Sequence, residues 1–298
     1  MNAKIIKTNC TLLLLILTLA VACTEDFDIQ TGNSLPVVTI YGTMSNLYEY
    51  QTVDISISSP YFDTLSNVGV SGAKVRISAS NGAVYDLIEV DTVQGRYRTT
   101  EKIAGAPDLE YTLDVEMLFN GKTERYRATS YMIPVVEIDS ITLRSMNIMG
   151  RAMYSLLLYA QDPSTEDYYL NRFKLNDSLI LYGRISRYAL MNDMGVNGLY
   201  INGVTVRMFA NISEKEKDND SNGNNDRIYL SPDDTIAFSF SRIEKGYFDF
   251  LTQCRQERNG SHPLFGGPPS NIVTNISNGA VGYFACCAFA PEKTAAAK

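Results

Sequence analysis

Short runs of alternating polar and apolar residues, separated by turn signals, fill the first half of the chain and limit it to a β fold. Thr112–Met117 and Lys74–Ser78 show the alternation most clearly, as expected of antiparallel strands that bury one face. Asn81-Gly82 and Asn120-Gly121 supply the positive φ angles that two-residue hairpin turns require. Because no helical period interrupts these runs, the sequence predicts an immunoglobulin-like (Ig-like) or transthyretin-like β-sandwich over residues 36–133.

Pro134 and the residues after it are predicted to lead into a second β-rich domain, residues 134–290. One amphipathic helix is expected near residues 242–257, because its apolar residues recur at spacings of three and four: Ile243, Tyr247, Phe250, Leu251 and Cys254. A final apolar strand is predicted at Val281–Phe289. Residues 291–298 are expected to form a loose tail.

The N-terminal 22 residues have the anatomy of a lipoprotein signal peptide. Lys4 and Lys7 precede an apolar run, Leu12–Leu19, and small residues then lead into Cys23. The run is too short for a permanent transmembrane helix and fits a cleaved export signal. Cys23 is therefore expected to carry fatty acid (palmitate) and to anchor the mature chain at a membrane. The alternative is an ordinary secretory signal that happens to end in a cysteine.

The mature chain is expected to be strongly acidic. Removal of residues 1–22 leaves 24 basic and 33 acidic residues, a net charge of -9. Such a charge argues against binding to nucleic acid and against electrostatic adhesion to anionic lipid. Residues 23–35, in which Thr24, Glu25 and Asp26 follow Cys23, are predicted to be a lipidated acidic tether.

Three cysteines remain after the signal and the lipidated residue are set aside: Cys254, Cys286 and Cys287. Adjacent residues of a strand point to opposite faces, so Cys286 and Cys287 cannot both reach Cys254. Buried free thiols are favoured, and one disulfide from Cys254 to either neighbour is the alternative.

The sequence offers little support for an enzyme. His262 is the only histidine and lies in a Gly/Ser/Pro loop without a nucleophile motif nearby, so a catalytic triad is not expected. Paired carboxylates are recognised by their separation in space, and the 33 acidic residues make candidates uninformative. We therefore predict no catalytic residues, with an envelope hydrolase as the least favoured reading.

A run rich in Asp and Asn resembles the first half of a calcium loop. Oxygen ligands at alternate positions precede and follow a glycine at the sixth position, with the candidate Ca²⁺ ligands being Asp218, Asp220, Asn222 and Asp226. The twelfth position, where a bidentate Glu is needed, is Tyr229. The sequence therefore favours a solvated turn, with weak calcium binding as the alternative, and no other cofactor is predicted.

Several short motifs occur in a characteristic order along the mature chain. In the first half they are Leu35-Pro36-Val37-Val38, Tyr41-Gly42, Ser59-Pro60-Tyr61-Phe62 and Ser71-Gly72-Ala73-Lys74-Val75. In the second half they are Pro134–Ile141, Asp234-Thr235-Ile236 with Tyr247, Gly266-Gly267-Pro268-Pro269-Ser270-Asn271-Ile272 and Gly282-Tyr283-Phe284. In this order they resemble the DUF4249 family of Bacteroidetes lipoproteins.

The resemblance implies a cell-envelope lipoprotein, often encoded beside TonB-dependent outer-membrane receptors, and it brings no established activity. The stretch after Cys23 separately resembles the acidic tract that in Bacteroidetes directs lipoproteins to the outer face of the outer membrane, with a solvated tether as the alternative. Asp233 stands where family members usually have Gly. Ser71–Val75, Gly95–Tyr97 and Tyr111–Leu113 further resemble small sandwich modules related to carboxypeptidase regulatory domains, which are mostly structural.

Asp-Ser/Thr-aliphatic tripeptides recur five times and resemble the sites at which Bacteroidetes attach O-glycans to exported proteins. Their hydroxyl residues are Thr64, Thr92, Ser140, Ser178 and Thr235. The same tripeptide also marks a turn that enters a strand.

Together these features predict a non-enzymatic accessory lipoprotein that binds a protein partner, with a TonB-dependent receptor as the most specific candidate, or a nutrient. The structural alternative is an adhesin or fimbria-like subunit that donates a strand between copies.

Overall fold

The computed structural model describes residues 36–58, 68–180, 189–214, 228–258 and 272–297. The described chain is mostly β, as predicted. Its strands are β1 Val38–Ser45, β2 Thr52–Ile57, β3 Val68–Gly69, β4 Lys74–Ala79, β5 Val84–Glu89, β6 Arg96–Thr99, β7 Glu110–Phe119, β8 Lys122–Tyr131, β9 Ser140–Ile148, β10 Arg151–Gln161, β11 Tyr168–Leu175, β12 Ser178–Ile180, β13 Ala189–Asn192, β14 Tyr200–Asn211, β15 Tyr229–Leu230, β16 Thr235–Ile243, β17 Val281–Phe289 and β18 Lys293–Ala296. Within the described residues, one α-helix, α1, spans Lys245–Arg258, and a short 3-10 turn spans Ile212–Glu214.

The strands form two sheets. The larger sheet has the order β12-β11-β16-β17-β1-β2-β6-β5-β4-β7-β8. Three further strands also belong to it: β13 pairs with β11, β18 with β16 and β3 with β2. The smaller sheet has the order β15-β14-β10-β9. The two turns predicted from Asn-Gly pairs join β4 to β5 and β7 to β8, and Asn120 and Gly121 have φ angles of 49° and 77°.

The core of the first sandwich contains residues from both halves of the chain. Tyr97, Tyr111 and Leu113 pack there with Phe284 and Cys286. The last two come from β17, which pairs in parallel with β1 from Thr39↔Val281 to Ser45↔Cys287. The sandwich predicted for residues 36–133 therefore receives a strand from the segment predicted as the second domain.

Gly282 lies where β17 comes closest to β1. A Cβ atom built on it would lie 2.0 Å from the carbonyl oxygen of Ile40, and its φ angle of 109° is one that L side chains rarely adopt. Glycine is the residue that satisfies both constraints. The glycine is therefore required for the contact between the first and last long strands.

The three described cysteines are free thiols. Cys286 packs in the first core, whereas Cys287 packs on the opposite face of β17, beneath α1. Burial raises the pKa of Cys287 to about 12 and also raises that of Cys286. The favoured prediction of buried free thiols is confirmed for these two, and Cys254 is half-buried.

The helix begins later than predicted. Arg242 and Ile243 belong to β16, where Arg242 pairs with Tyr169 and Ala288, so α1 starts at Lys245. The apolar stripe of α1 covers the outer face of β17, and Tyr247 lies against Tyr283 with ring centroids 5.3 Å apart. Sheet pairing at residues 242–243 therefore overrides the helical spacing that includes them.

The end of the chain is not the loose tail that the sequence suggested. Residues 293–296 form β18, which pairs with β16 from Thr235↔Ala296 to Phe238↔Lys293. Ala297 is fully buried, and its N–H donates to the carbonyl of Asp234. Hydrogen bonds to β16 hold this short segment in place. Because the two strands are far apart in the sequence, the local composition of residues 293–296 does not predict the pairing.

The turn before β16 places Asp233 in a conformation that favours Gly. Pro232 and Asp233 are the central residues of a turn closed by the Asp234 N–H donating to Ser231 O at 3.2 Å, and Asp233 has a φ angle of 72°. Proline followed by a residue of positive φ is typical of a type II turn, where Gly is preferred.

Replacing Asp233 by Gly is expected to raise the free energy of unfolding by about 0.5–1 kcal/mol, since Asp tolerates the left-handed region less well than Gly does. Urea unfolding of the two proteins measures the difference. Asp233→Ala serves as the control and should bring no gain, because alanine keeps the Cβ atom. A stability of Asp233→Gly at or below that of the parent would contradict this explanation.

Within the described residues, no helix is both long and apolar enough to cross a membrane.

Candidate functional site

Three buried aspartates lie close together at the ends of strands β10, β11 and β13: Asp162, Asp167 and Asp193. Asp162 directly follows β10, Asp167 directly precedes β11 and Asp193 directly follows β13. Pairing of β11 with β13 places Tyr168 opposite Asn192 and so brings the two neighbouring aspartates together. One carboxylate oxygen from each of the three lies within 4.8 Å of the others.

Hydrogen bonds hold all three carboxylates in place, and the Thr165 hydroxyl donates to Asp167 Oδ2 at 3.0 Å. Tyr169 donates its hydroxyl to Asp162 Oδ1 at 2.7 Å, and the Gly198 N–H donates to Asp162 Oδ2 at 3.1 Å. The backbone N–H of Asp167 donates to Asp193 Oδ2 at 2.9 Å. Burial, followed by the hydrogen bond to Asp162, raises the pKa of Tyr169, so this hydroxyl remains a donor.

The charge of the cluster is only partly balanced within the described residues. Arg242 at the end of β16 places Nε 3.5 Å from Asp167 Oδ1. Burial is the largest influence on Asp167 and raises its pKa, and Asp162 and Asp193 raise it further, whereas Thr165 and Arg242 lower it. A proton on Asp167 is therefore one way to relieve the repulsion between the buried carboxylates.

The chemistry of the cluster is that of hard oxygen ligands. Carboxylates are the ligands that Ca²⁺ and Mg²⁺ prefer, so Asp162, Asp167 and Asp193 are the described residues that could hold such an ion. Sequence reasoning missed them because they are spread over 162–193 and form no local motif. The sequence signal that could have found them is an aspartate directly before or after a strand, which recurs at β10, β11 and β13.

Asp167→Asn tests the electrostatics of the cluster. A carboxyl group whose folded pKa is raised weakens the folded state above that pKa, and this penalty disappears as the pH falls towards the unfolded value. The stability of Asp167→Asn relative to the parent should therefore be highest near pH 7 and should decrease as the pH is lowered towards 4. Urea unfolding in EDTA buffer measures it, and a relative stability that is constant or rises on acidification would contradict the assignment.

The calcium-loop residues Asp218, Asp220, Asn222 and Asp226 lie outside the described residues, as do Cys23, Thr64 and His262. Tyr229, at the twelfth position of the candidate loop, lies in β15.

Four of the proposed glycosylation residues are described, and each stands at a turn or at the start of a strand. Thr92 lies in the turn between β5 and β6, and Ser140, Ser178 and Thr235 are the first residues of β9, β12 and β16. Thr92, Ser140 and Ser178 are exposed, whereas Thr235 is half-buried. Modification at these residues stays a prediction, for which the intact mass of the native protein is the measurement.

Two of the sequence motifs prove to be joined by hydrogen bonds through Glu89. Its carboxylate accepts from the Ser71 hydroxyl at 2.8 Å, the Gly95 N–H at 3.0 Å and the Gly72 N–H at 3.1 Å. The bond from Gly95, followed by that from Ser71, lowers the pKa of Glu89. Tyr97 adds to the link, because its hydroxyl accepts the Ala73 N–H at 2.9 Å. These motif residues connect strands of the first sandwich.

The sequence was compared with models of known protein families. Residues 24–292 match the model of a domain of unknown function, DUF4249. The chain belongs to the DUF4249 family. The family description assigns no activity, and no curated protein matches the chain.

A solved structure to which this DUF4249 chain is similar is that of a DUF4785 family protein from Legionella pneumophila. The two share 13% identity over 69% of this chain, with a TM-score of 0.23, and the match spans 52% of the Legionella protein. A likeness of this size carries no argument about fold or function.

Proposed function

We propose that this DUF4249 protein is a non-enzymatic, lipid-anchored protein of the outer membrane, accessory to a TonB-dependent uptake system. The observation that carries the proposal is the sequence Leu19–Cys23 after an apolar run, with the family match beginning directly after it at residue 24. A lipidated thiol at that position would hold a β-rich binding module at the membrane surface. The TonB-dependent partner rests on the family resemblance alone.

A loop with exposed tyrosines supports a binding role. Tyr48 and Tyr50, in the connection between β1 and β2, have exposed fractions of 75% and 37%. Buried Gln51 holds this loop, because its Oε1 accepts the Ser45 N–H at 2.7 Å and its Nε2 donates to Ile103 O at 2.9 Å. Tyrosine on a rigid loop offers contact area at a low entropic cost, as in many protein-binding surfaces.

Purification of the tagged protein from native outer membranes tests the proposal. We expect a TonB-dependent receptor to co-purify, and replacement of Tyr48 and Tyr50 by Ser to reduce its recovery by about fivefold or more, as expected when interface tyrosines are removed. Leu118→Ser is the matched control, because Leu118 is 70% exposed on a different hairpin. Isolation of the parent protein as a monomer would contradict the proposal, and isolation as a homopolymer would favour a fimbria-like subunit.

A further inference from the structure

Strand β9 has an open edge. It pairs with β10 on one side, and β18 lies close to it without pairing. Over the described chain, no backbone bond or side chain satisfies the other edge of Arg144–Ile148. The edge of β8 is different, because the Ser277 N–H donates to Arg127 O at 2.9 Å and the Arg127 N–H donates to Ser277 Oγ at 2.8 Å. Among the described residues, the edge of β8 is therefore partly covered, whereas Arg144–Ile148 of β9 has no strand beside its outer edge.

The hairpin geometry shows which backbone groups of β9 are available. Met149 and Gly150 form a two-residue turn with φ angles of 52° and 80°, closed by the pair Ile148↔Arg151. The closing pair of such a hairpin exchanges both hydrogen bonds, and paired residues then alternate along the strand. Ser145 and Asn147 consequently direct their N–H and C=O groups to the open edge. Unpaired groups of this kind are a template for a further strand.

Arg144 on this strand lacks the acidic partner that four of the five strand arginines of the first sandwich have. Those four form an ion pair with an acid directly opposite on the adjacent strand: Arg76 with Asp86, Arg96 with Asp54, Arg125 with Glu116 and Arg127 with Asp114. The fifth, Arg98, lies over the ring of Tyr50 instead. Arg144 is exposed, faces Ser155 on β10 and has no ion pair within the described residues. On the side away from β10, no described strand pairs with β9 beside Arg144.

We infer that β9 receives an extended strand from a partner protein and that this strand places an Asp or Glu beside Arg144. Main-chain bonds to Ser145 and Asn147 would give affinity, the acid would give specificity, and Met146, which is 37% exposed, would pack against the added strand. A second copy pairing β9 with β9 does not fit, since residues 140–148 contain no acid. The inference is drawn from β9 alone and holds or fails independently of the proposed receptor.

Two fluorescent peptides of the same length as β9 test it on the folded protein. Both alternate Thr and Val, and one has Asp and the other Lys at the centre. We expect the Asp peptide to bind at least about tenfold more tightly by anisotropy, because opposite and like charges across strands differ by about 1–2 kcal/mol. Amide exchange of residues 143–148 should slow when it binds. Arg144→Glu should reverse the preference without unfolding the protein, since Arg144 is exposed.

Ser145→Pro supplies an independent test, because it removes an outward N–H and leaves the pairing with β10 in place. It should abolish binding of the Asp peptide, whereas Ser145→Thr should retain it. Circular dichroism checks that both variants are folded. Equal affinity for the two peptides, no binding at millimolar peptide, or a dimer of the parent protein that Ser145→Pro disrupts would each overturn the inference.

Discussion

Replacement of Gly282 by Ala is expected to destabilise the protein by about 3–5 kcal/mol, combining backbone strain with overpacking. The added Cβ atom would lie 2.0 Å from Ile40 O, and this neighbour is backbone that cannot rotate away. The φ angle of 109° adds strain for any L side chain. Because β1 pairs with β17 from Thr39 to Ser45, separation of the two strands at this point would open both the first core and the cluster of apolar residues between β17 and α1.

Gly279→Ala is the matched control for this variant. Gly279 also has a positive φ, 72°, but a Cβ atom there would have no neighbour within 4 Å. Its substitution should therefore cost only the backbone term, about 1 kcal/mol. Chemical unfolding of the two variants measures the difference. Equal losses of stability at the two positions would show that the close contact between β1 and β17 is not important.

Replacement of Cys23 by Ala is expected to remove the protein from the outer-membrane fraction. Two acyl chains hold a protein at a bilayer stably, whereas the folded part would bind weakly at a net charge of -9. The amount of protein in outer membranes separated by density should fall by about tenfold or more. Immunoblots of the separated membranes and of the soluble fraction measure it.

Cys10→Ala is the control for the thiol itself. Cys10 lies in the predicted signal peptide, which is cleaved off during export. Its replacement should therefore leave the amount of protein in the membrane and soluble fractions unchanged. If Cys23→Ala fractionates like the parent, the lipid anchor is wrong. A change with Cys10→Ala but not with Cys23→Ala would place the important thiol elsewhere.

Much of the first sandwich could be predicted because its information is local. The alternation in Thr112–Met117 sets which face is buried, and Asn120-Gly121 sets the turn, so β7 and β8 follow from neighbouring residues. Val281–Phe289 was also predicted as a strand with its observed bounds. Its position beside β1 was not, because pairing across more than 200 residues leaves no periodic signal in either segment.

The acidic cluster escaped prediction for the same reason. Asp162, Asp167 and Asp193 each look like a polar residue at the end of a strand, and only the pairing of β11 with β13 brings two of them together. The helix start at Lys245 and the strand at residues 293–296 likewise depend on what β16 pairs with. Local pattern identifies the elements, and sheet order determines which of them share a site.

The most direct test of the account is the mass of the N-terminal peptide of the protein isolated from its native membrane. We predict a mature chain that starts at Cys23, with a diacylglyceryl group on its thiol. A chain that starts at another residue, or an unmodified Cys23, would contradict the assignment of this DUF4249 protein to the membrane surface.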